Sequence, residues 1–314
     1  MDNKKILNLM CICGRLYNKK LKIVMIFPCE HMFHETCLKK NKLEFCPICK
    51  TEIESTRSLL DDIITPEHSQ YYADILSVTN FCNSSNYKLG NIVDNLFDFS
   101  KLLIQVPFCS GIKESRSVIK EIFSLNKTDI YVRGLERINH KEKKVFICNH
   151  TTYLDFMIVL LFLDTYFLAS DFINQSVIGK TLSKVIPLLI IKRGVSQNTV
   201  EQMKQFVEKY GSICVFPEAM LTHPKTITQF RTGGFHVGEP IYPIILRYES
   251  IKSDLNIGKF IANSLSRDNT KIYMDVIGPY YPPFSPDNIE QIRQDMAKVG
   301  GMLTSRASSR EIVD

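Results

Sequence analysis

One histidine and one aspartate are spaced so that together they could act on a proton. His150 follows KVFICN, an apolar run typical of a buried strand, and Asp155 lies in TYLDFMIVLLFL, which has the length and apolar character of a buried helix. The histidine is therefore predicted at a strand-to-helix junction, where an open α/β sheet places its reactive groups. From the first turns of the helix, Asp155 could reach one imidazole nitrogen and make the other more basic. The pair suits general base chemistry, although this spacing also arises often by chance.

A second set of side chains, near the N-terminus, could hold metal ions. Eight thiol and imidazole groups occur before residue 50, namely Cys11, Cys13, Cys29, His31, His34, Cys37, Cys46 and Cys49. Two tetrahedral zinc sites need eight such ligands. No signal peptide is apparent, so we expect the chain to face the reducing cytosol, where clustered cysteines favour metal over disulfides.

This stretch contains CEHMFHETC followed by CPIC and resembles the RING finger with two central histidines. The resemblance implies two zinc ions, one held by Cys11, Cys13, His34 and Cys37, the other by Cys29, His31, Cys46 and Cys49. A segment this short buries too little apolar surface to fold alone, so zinc would supply much of its folding free energy. The family has two residues between its first two cysteines, whereas this chain has Ile12 alone, and we expect the first site to be strained.

In RING-type ubiquitin ligases, residues at the positions of Ile12 and Pro47 contact a ubiquitin-conjugating enzyme. The basic residue at the position of Lys50 points toward the ubiquitin-loaded partner. The resemblance therefore implies a ubiquitin-conjugating enzyme as a partner. A zinc-stapled docking or dimerisation module without ligase activity explains the same residues equally well.

Four blocks place the His150 and Asp155 pair in a wider pattern: NHTTYLD, LLIIKRG, VFPEAMLTH and IYPIILRY. Together they resemble the ordered motifs of the glycerolipid acyltransferases, the family of 1-acylglycerol-3-phosphate and lysophospholipid acyltransferases, over residues 130–283. The resemblance implies that a fatty acyl chain moves from acyl-CoA to a hydroxyl of a lysophospholipid or lysophosphatidic acid, without a covalent enzyme intermediate. His150 would be the general base and Asp155 its orienting carboxylate.

The same resemblance implies a set of substrate-binding residues: Asn149, Arg193, Pro217, Glu218 and Arg231. Arg193 closes the second block, where its planar fork suits a phosphate group. The alternative is an arginine that ends a strand at the surface.

The third block departs from the family pattern. The family continues Phe-Pro-Glu with Gly, Thr and often Arg, whereas this chain has Ala219, Met220 and Leu221. QFRTGGF, which contains Arg231, resembles the stretch after the third motif in relatives that act on lysophosphatidylcholine and lysophosphatidylethanolamine. We therefore expect a lysophospholipid that carries a head group.

The net charge and the lengths of the apolar runs indicate how the protein could associate with a membrane. The chain has 39 Lys and Arg against 33 Asp and Glu, a net charge of +6. This mild surplus suits an anionic membrane surface, but no basic block with interleaved aromatics indicates nucleic-acid binding. No apolar run reaches the roughly 18 residues of a spanning helix, so we expect peripheral or monotopic association with the cytosolic face of an internal membrane. The apolar stripe of NIVDNLFDFSKLLIQV could face either a bilayer or the protein core.

The fold predicted from these patterns is α/β, a helix-covered, mostly parallel sheet with a small zinc-stapled module before it. Strands are predicted near 129–134, 144–149, 165–169, 187–192, 212–217, 241–248 and 271–277. Helices are predicted near 153–163, 171–185, 198–210 and 286–303. The predicted domains are a RING-like module (1–54), a linker with one short helix (55–90), an amphipathic helical segment (91–125), an acyltransferase domain (126–305) and a flexible tail (306–314).

A competing interpretation is a ubiquitin ligase whose second half is an inactive membrane or lipid-binding module, and both activities could also share the chain.

Overall fold

The computed structural model of the protein describes residues 11–13, 22–29, 31–58, 70–77, 112–125, 128–152, 155–171, 188–191, 198–249 and 271–309. Three predicted features lie outside these residues: Arg193, the apolar stripe at 91–106, and nearly all of the helix at 171–185. Among the helices of the described part, none is long and apolar enough to cross a membrane.

The N-terminal module is a small antiparallel sheet with one helix. Its elements are β1 (Ile23–Phe27), β2 (Met32–His34), α1 (Glu35–Asn41) and β3 (Ser55–Ser58). The strand order is β2-β1-β3, and Ile26, Met32 and Phe33 lie in its core without exposed surface. Because β3 pairs with β1 along its length, the module extends past the predicted boundary at residue 54.

A second, larger sheet lies at the centre of the described residues that follow. Nine further strands follow within the described residues: β4 (Asp129–Arg133), β5 (Lys144–Cys148), β6 (Phe167–Ser170), β7 (Leu188–Ile191), β8 (Ser212–Val215), β9 (Thr226–Ile227), β10 (Ile241–Tyr248), β11 (Lys271–Val276) and β12 (Leu303–Thr304). Seven of them form one sheet in the order β4-β11-β10-β5-β8-β6-β7. Neighbouring strands are parallel except β10 and β11, which are antiparallel. The seven predicted strands and the mostly parallel sheet are confirmed.

Helices cover both faces of this sheet. Helix α2 (Gln70–Ser77) packs against β9 and β12 instead, and the helices on the sheet are α3 (Ile112–Leu125), α4 (Asp155–Phe162), α5 (Thr199–Tyr210) and α6 (Pro286–Gly300). Alternate residues of β5 belong to two different cores, as expected for a strand whose successive side chains point to opposite faces. Helices α3 and α4 pack in the first core, and α5 and α6 pack in the second. The sheet is therefore a buried layer, and the helix-covered α/β fold is confirmed.

The segment after α6 is packed against the body of the protein. Ser305 and Ala307 have no exposed surface. The backbone N–H of Gln229 donates to the Ala307 carbonyl over 2.9 Å, and Arg293 Nη1 donates to the Ser305 carbonyl over 2.8 Å. Within the tail predicted at 306–314, Ala307 is thus buried and held by backbone pairing, and Ser305 just before it is held by a buried arginine.

Candidate active site

His150 and Asp155 meet beyond the end of β5. The strand ends at Cys148 and α4 begins at Asp155, so the histidine lies in the strand-to-helix connection. Its Nδ1 is 2.9 Å from Asp155 Oδ2. The Asp155 side chain has 0% exposed surface, whereas that of His150 has 23%. The arrangement can hold a proton on Nδ1, which leaves Nε2 free of a proton as an acceptor.

Three further donors meet the Asp155 carboxylate. The backbone N–H groups of Thr151 and Thr152 donate to Oδ2 over 2.6 and 2.9 Å. The Tyr248 hydroxyl donates to Oδ1. Both oxygens of the buried carboxylate therefore have hydrogen-bond donors, and the group lies at the positive end of α4. Sequence reasoning missed Tyr248, and the signal that could have found it was its place as the last residue of the IYPIILRY block.

The face of the imidazole is also fixed. The Phe216 ring stacks on the His150 ring with centroids 4.1 Å apart and an angle of 23° between the planes. Phe167 stacks behind Phe216 at 6.4 Å and 9°. The His150 ring is thus held at one edge by a carboxylate and on one face by an aromatic ring.

Glu218 lies beneath the histidine, with no exposed surface. Its Oε1 accepts the backbone N–H of His150 over 2.9 Å. Its Oε2 accepts the hydroxyl of Thr222 and both the backbone N–H and the hydroxyl of Thr228, over 3.0, 2.8 and 2.9 Å. Burial raises the pKa of Glu218, and these hydrogen bonds act against that rise. In this structure Glu218 ties the loop after β8 to the backbone of His150; a contact with substrate stays a prediction.

The departure in the third block has a structural counterpart. Ala219 has φ of 55°, in the left-handed region that favours glycine. The family pattern has glycine at this position. The backbone turn is therefore kept with an alanine, which costs on the order of 1 kcal/mol relative to glycine.

Apart from Arg193, which lies outside the described residues, the other predicted substrate-binding residues have partners within the protein. Asn149 is buried and bridges to β10, donating to the Leu246 carbonyl over 3.0 Å and accepting the Leu246 N–H over 2.8 Å. The Pro217 carbonyl accepts the Arg231 N–H over 2.7 Å. Arg231 Nε donates to Ser309 Oγ over 3.0 Å. Their contact with substrate remains a prediction.

The cysteines and histidines of the N-terminal module form two groups that can hold a metal ion. One group is Cys11, Cys13, His34 and Cys37, and the other is Cys29, His31, Cys46 and Cys49. These are the two sets implied by the RING resemblance, and the ligand atoms of each lie within 4.8 Å of one another. Cys13 Sγ is 3.4 Å from His34 Nδ1, and Cys46 Sγ is 3.5 Å from His31 Nδ1. Bond lengths of about 2.0–2.3 Å around tetrahedral zinc put neighbouring ligands roughly 3.5 Å apart, so both donor sets fit zinc.

Residues 129–247, less than half of the chain, match the family model described as Acyltransferase. Human lysophosphatidylcholine acyltransferase 1 is 22% identical over 124 residues, which cover 38% of this chain and 23% of that protein. Lysophospholipid acyltransferase LPEAT1 of Arabidopsis thaliana is 25% identical over 132 residues, covering 38% of this chain and 33% of its own length. The chain thus spans a third or less of these curated relatives. The matches support an acyltransferase family for this part of the chain.

A solved structure, the 1-acyl-sn-glycerophosphate (LPA) acyltransferase PlsC from Thermotoga maritima, aligns with 65% of this chain and 88% of its own. The TM-score is 0.47 and the sequence identity is 16%.

Proposed function

We propose that the chain transfers a fatty acyl group from acyl-CoA to the hydroxyl of a lysophospholipid or lysophosphatidic acid. The observation that carries the proposal is the 2.9 Å contact between His150 Nδ1 and Asp155 Oδ2, inside the residues that match the acyltransferase family. A general base of this kind must lie at the reacting hydroxyl and be basic near neutral pH.

In the proposed reaction His150 Nε2 takes the proton of the acceptor hydroxyl while the oxygen attacks the thioester carbonyl. The tetrahedral intermediate collapses, the carbon–sulfur bond breaks, and the CoA thiolate leaves with the proton that the imidazolium returns. Asp155 stabilises the imidazolium and fixes the Nδ1–H tautomer, without itself taking the proton. One ester bond forms and one thioester bond breaks, so no covalent enzyme intermediate is needed.

The acceptor that we favour is a lysophospholipid with a head group. The two curated relatives named above carry names of lysophosphatidylcholine and lysophospholipid acyltransferases. Arg231, in QFRTGGF, and Arg193 are the residues that we propose for phosphate binding. The net charge of +6 suits peripheral binding at the cytosolic face of an internal membrane.

The test is acyl transfer by the purified full chain. Radiolabelled acyl-CoA is incubated with lysophosphatidylcholine, lysophosphatidylethanolamine, lysophosphatidic acid and glycerol 3-phosphate in mixed micelles. We expect labelled diacyl product from the wild type and from His140→Ala, whose histidine is exposed, and none from His150→Ala. Absence of diacyl product with all three lysophospholipids would contradict the proposal, whatever the result with glycerol 3-phosphate, whose acylation gives a monoacyl product.

The N-terminal module supports a second candidate function, that of a zinc-dependent ubiquitin ligase. Both four-ligand groups fit zinc, and two apolar side chains beside them are open to solvent, Ile12 at 43% and Ile48 at 50% exposure. Exposed apolar groups beside a rigid metal site suit a protein partner, here a ubiquitin-conjugating enzyme.

Self-ubiquitination with a panel of conjugating enzymes tests this second function. We expect chains from the wild type and fewer from Ile12→Ala, and two bound zinc ions by metal analysis. Cys46→Ala should lose one ion and all chains. A wild type that binds two zinc ions but gives no chains would leave the docking or dimerisation module as the function of this part.

A further inference from the structure

We propose that Tyr248 is a positioning residue for the pair formed by His150 and Asp155, a role that rests on the proposed acyl transfer. Its hydroxyl donates to Asp155 Oδ1, whereas the imidazole and the Thr151 and Thr152 N–H groups all meet Oδ2. Among the contacts of the described residues, Tyr248 therefore holds the oxygen that the histidine does not use.

The length of β10 explains how Tyr248, which is distant in sequence, lies beside Asp155. The last pair between β10 and β5 joins Ile244 to Cys148, and β10 continues for four more residues to Tyr248. Two residues past that pair, Leu246 exchanges hydrogen bonds with the side chain of Asn149. Two residues further, Tyr248 shares the sheet face on which α4 packs and reaches Asp155. The overhang of β10 thus lies along the loop that carries the histidine.

The carboxylate needs a donor on each oxygen. Asp155 has no exposed surface, so water cannot replace a lost partner at Oδ1 without a rearrangement. The terminal torsion of an aspartate is soft, and a carboxylate held at one oxygen can turn about it. Tyr248 fixes that rotation and so keeps Oδ2 in line with His150 Nδ1. The hydrogen bond from the Tyr248 hydroxyl also stabilises part of the negative charge of the carboxylate.

The same strand supplies a matched control. Tyr242 lies six residues earlier on the same face of β10, and its hydroxyl donates to the Glu142 carboxylate instead. Tyr248→Phe and Tyr242→Phe each remove one phenol-to-carboxylate hydrogen bond and keep the ring, and Tyr242→Phe also removes the acceptor of the Asn139 N–H. Tyr242→Phe does so away from His150.

The first readout is kinetic. We expect Tyr248→Phe to lower kcat roughly ten- to a hundredfold, the range for one hydrogen bond to a charged group, with the KM for each substrate within about twofold. Tyr242→Phe should leave kcat within about twofold. Equal kcat values for the two variants would overturn the positioning role.

The second readout does not depend on activity. The His150 Nδ1 proton, hydrogen-bonded to a buried carboxylate, should give a low-field proton NMR signal that is absent from His150→Gln. We expect this signal to move or broaden in Tyr248→Phe and to stay in place in Tyr242→Phe. An unmoved signal in Tyr248→Phe would refute the positioning role even if the wild type transfers acyl groups. If the signal moves in Tyr248→Phe but the wild type shows no acyl transfer, the proposed function is refuted while the contact between Tyr248 and Asp155 is supported.

Discussion

Two buried carboxylates hold different parts of His150. Asp155 contacts the ring and Glu218 contacts the backbone N–H of the same residue. Each is surrounded by hydrogen-bond donors, which is what a carboxyl without exposed surface requires. His150 is therefore held at its backbone by Glu218 and at its ring by Asp155, and such preorganisation is what a general base needs.

Replacing Glu218 with glutamine should disturb this anchor. Oε1 faces the His150 N–H and Oε2 faces the Thr228 N–H, so an amide must turn its NH₂ group toward one of these donors. We expect Glu218→Gln to lower the free energy of unfolding by about 1–3 kcal/mol and to reduce acyl transfer. Thermal and urea unfolding measure the first effect. The exposed Glu208→Gln serves as control, and an equally small loss in both variants would contradict the anchoring role.

His223, in the loop after β8, should make stability depend on acid. Burial lowers its pKa from 6.5 to about 3, and Lys225 adds to the effect. The unfolded chain then takes up a proton first as the pH falls, so stability that is complete above pH 6.5 is lost progressively toward pH 3. The slope is about 1.4 kcal/mol per pH unit within that window.

Unfolding free energies between pH 7 and pH 4 test this prediction. His223→Asn, which keeps an acceptor for the Lys225 N–H, should show a shallower slope than the wild type. His140→Asn, at an exposed position, should retain the wild-type slope. Identical slopes in all three proteins would show that His223 is not buried in its neutral form.

At the scale of elements, the site depends on where strands stop. β5 ends at Cys148, whereas β10 continues to Tyr248. The last residues of β10 therefore lie beside the loop that carries His150. α4 then begins directly at Asp155, so the carboxylate sits at the positive end of a helix. The chemistry of the site follows from the relative lengths of two neighbouring strands and the start of one helix.

Gly134, in the turn after β4, lies too close to β11 for a side chain to fit. Gly134 has φ of +85°, and a Cβ there would lie 2.1 Å from the Val276 carbonyl oxygen of β11. Gly211 has φ of +82°, but a Cβ there would meet nothing within 4 Å. Both Gly→Ala changes should cost about 1–2 kcal/mol for the backbone conformation, and Gly134→Ala about 1–3 kcal/mol more for the clash. Equal melting temperatures for the two variants would contradict this packing.

Local patterns predicted much of this level of structure. Runs such as KVFIC and IYPIILRY are apolar and rich in β-branched residues, so their strands could be placed from sequence, and the spacing from His150 to Asp155 gave their contact. The partners of the pair could not be placed in the same way. Tyr248 follows Asp155 by 93 residues and Glu218 follows His150 by 68. Such contacts depend on strand order, which periodicity along the chain does not specify.

At the scale of the whole molecule, α2 and the C-terminal segment connect the N-terminal module to β9 and β12 of the larger part of the protein. Ile75 of α2 and Ala307 share one hydrophobic cluster with the module core. The buried Asp74 accepts hydrogen bonds from Ser305 Oγ, the Arg306 N–H and the Arg306 guanidinium. The segment also pairs with β9, close to Thr228 and hence to Glu218. The two halves of the chain are therefore in physical contact through a stretch whose sequence resembled a loose tail.

Removing Asp74 should loosen that junction. Asp74→Ala deletes an almost fully buried acceptor of four hydrogen bonds, and we expect a loss of about 2–4 kcal/mol in unfolding free energy. Glu208→Ala, which removes the exposed pair with Lys143, should cost less than about 1 kcal/mol. Urea unfolding of both variants distinguishes these values, and a cost for Asp74→Ala as small as that of the control would contradict the junction.

We propose that His150 and Asp155 act as one catalytic unit in acyl transfer. A double-mutant cycle on kcat with His150→Gln, Asp155→Asn and the combined variant tests it most directly. We predict that each single change lowers kcat by at least about a hundredfold, and that the double variant is no slower than His150→Gln alone. Losses that multiply in the double variant, or a single variant with wild-type kcat, would contradict the claim.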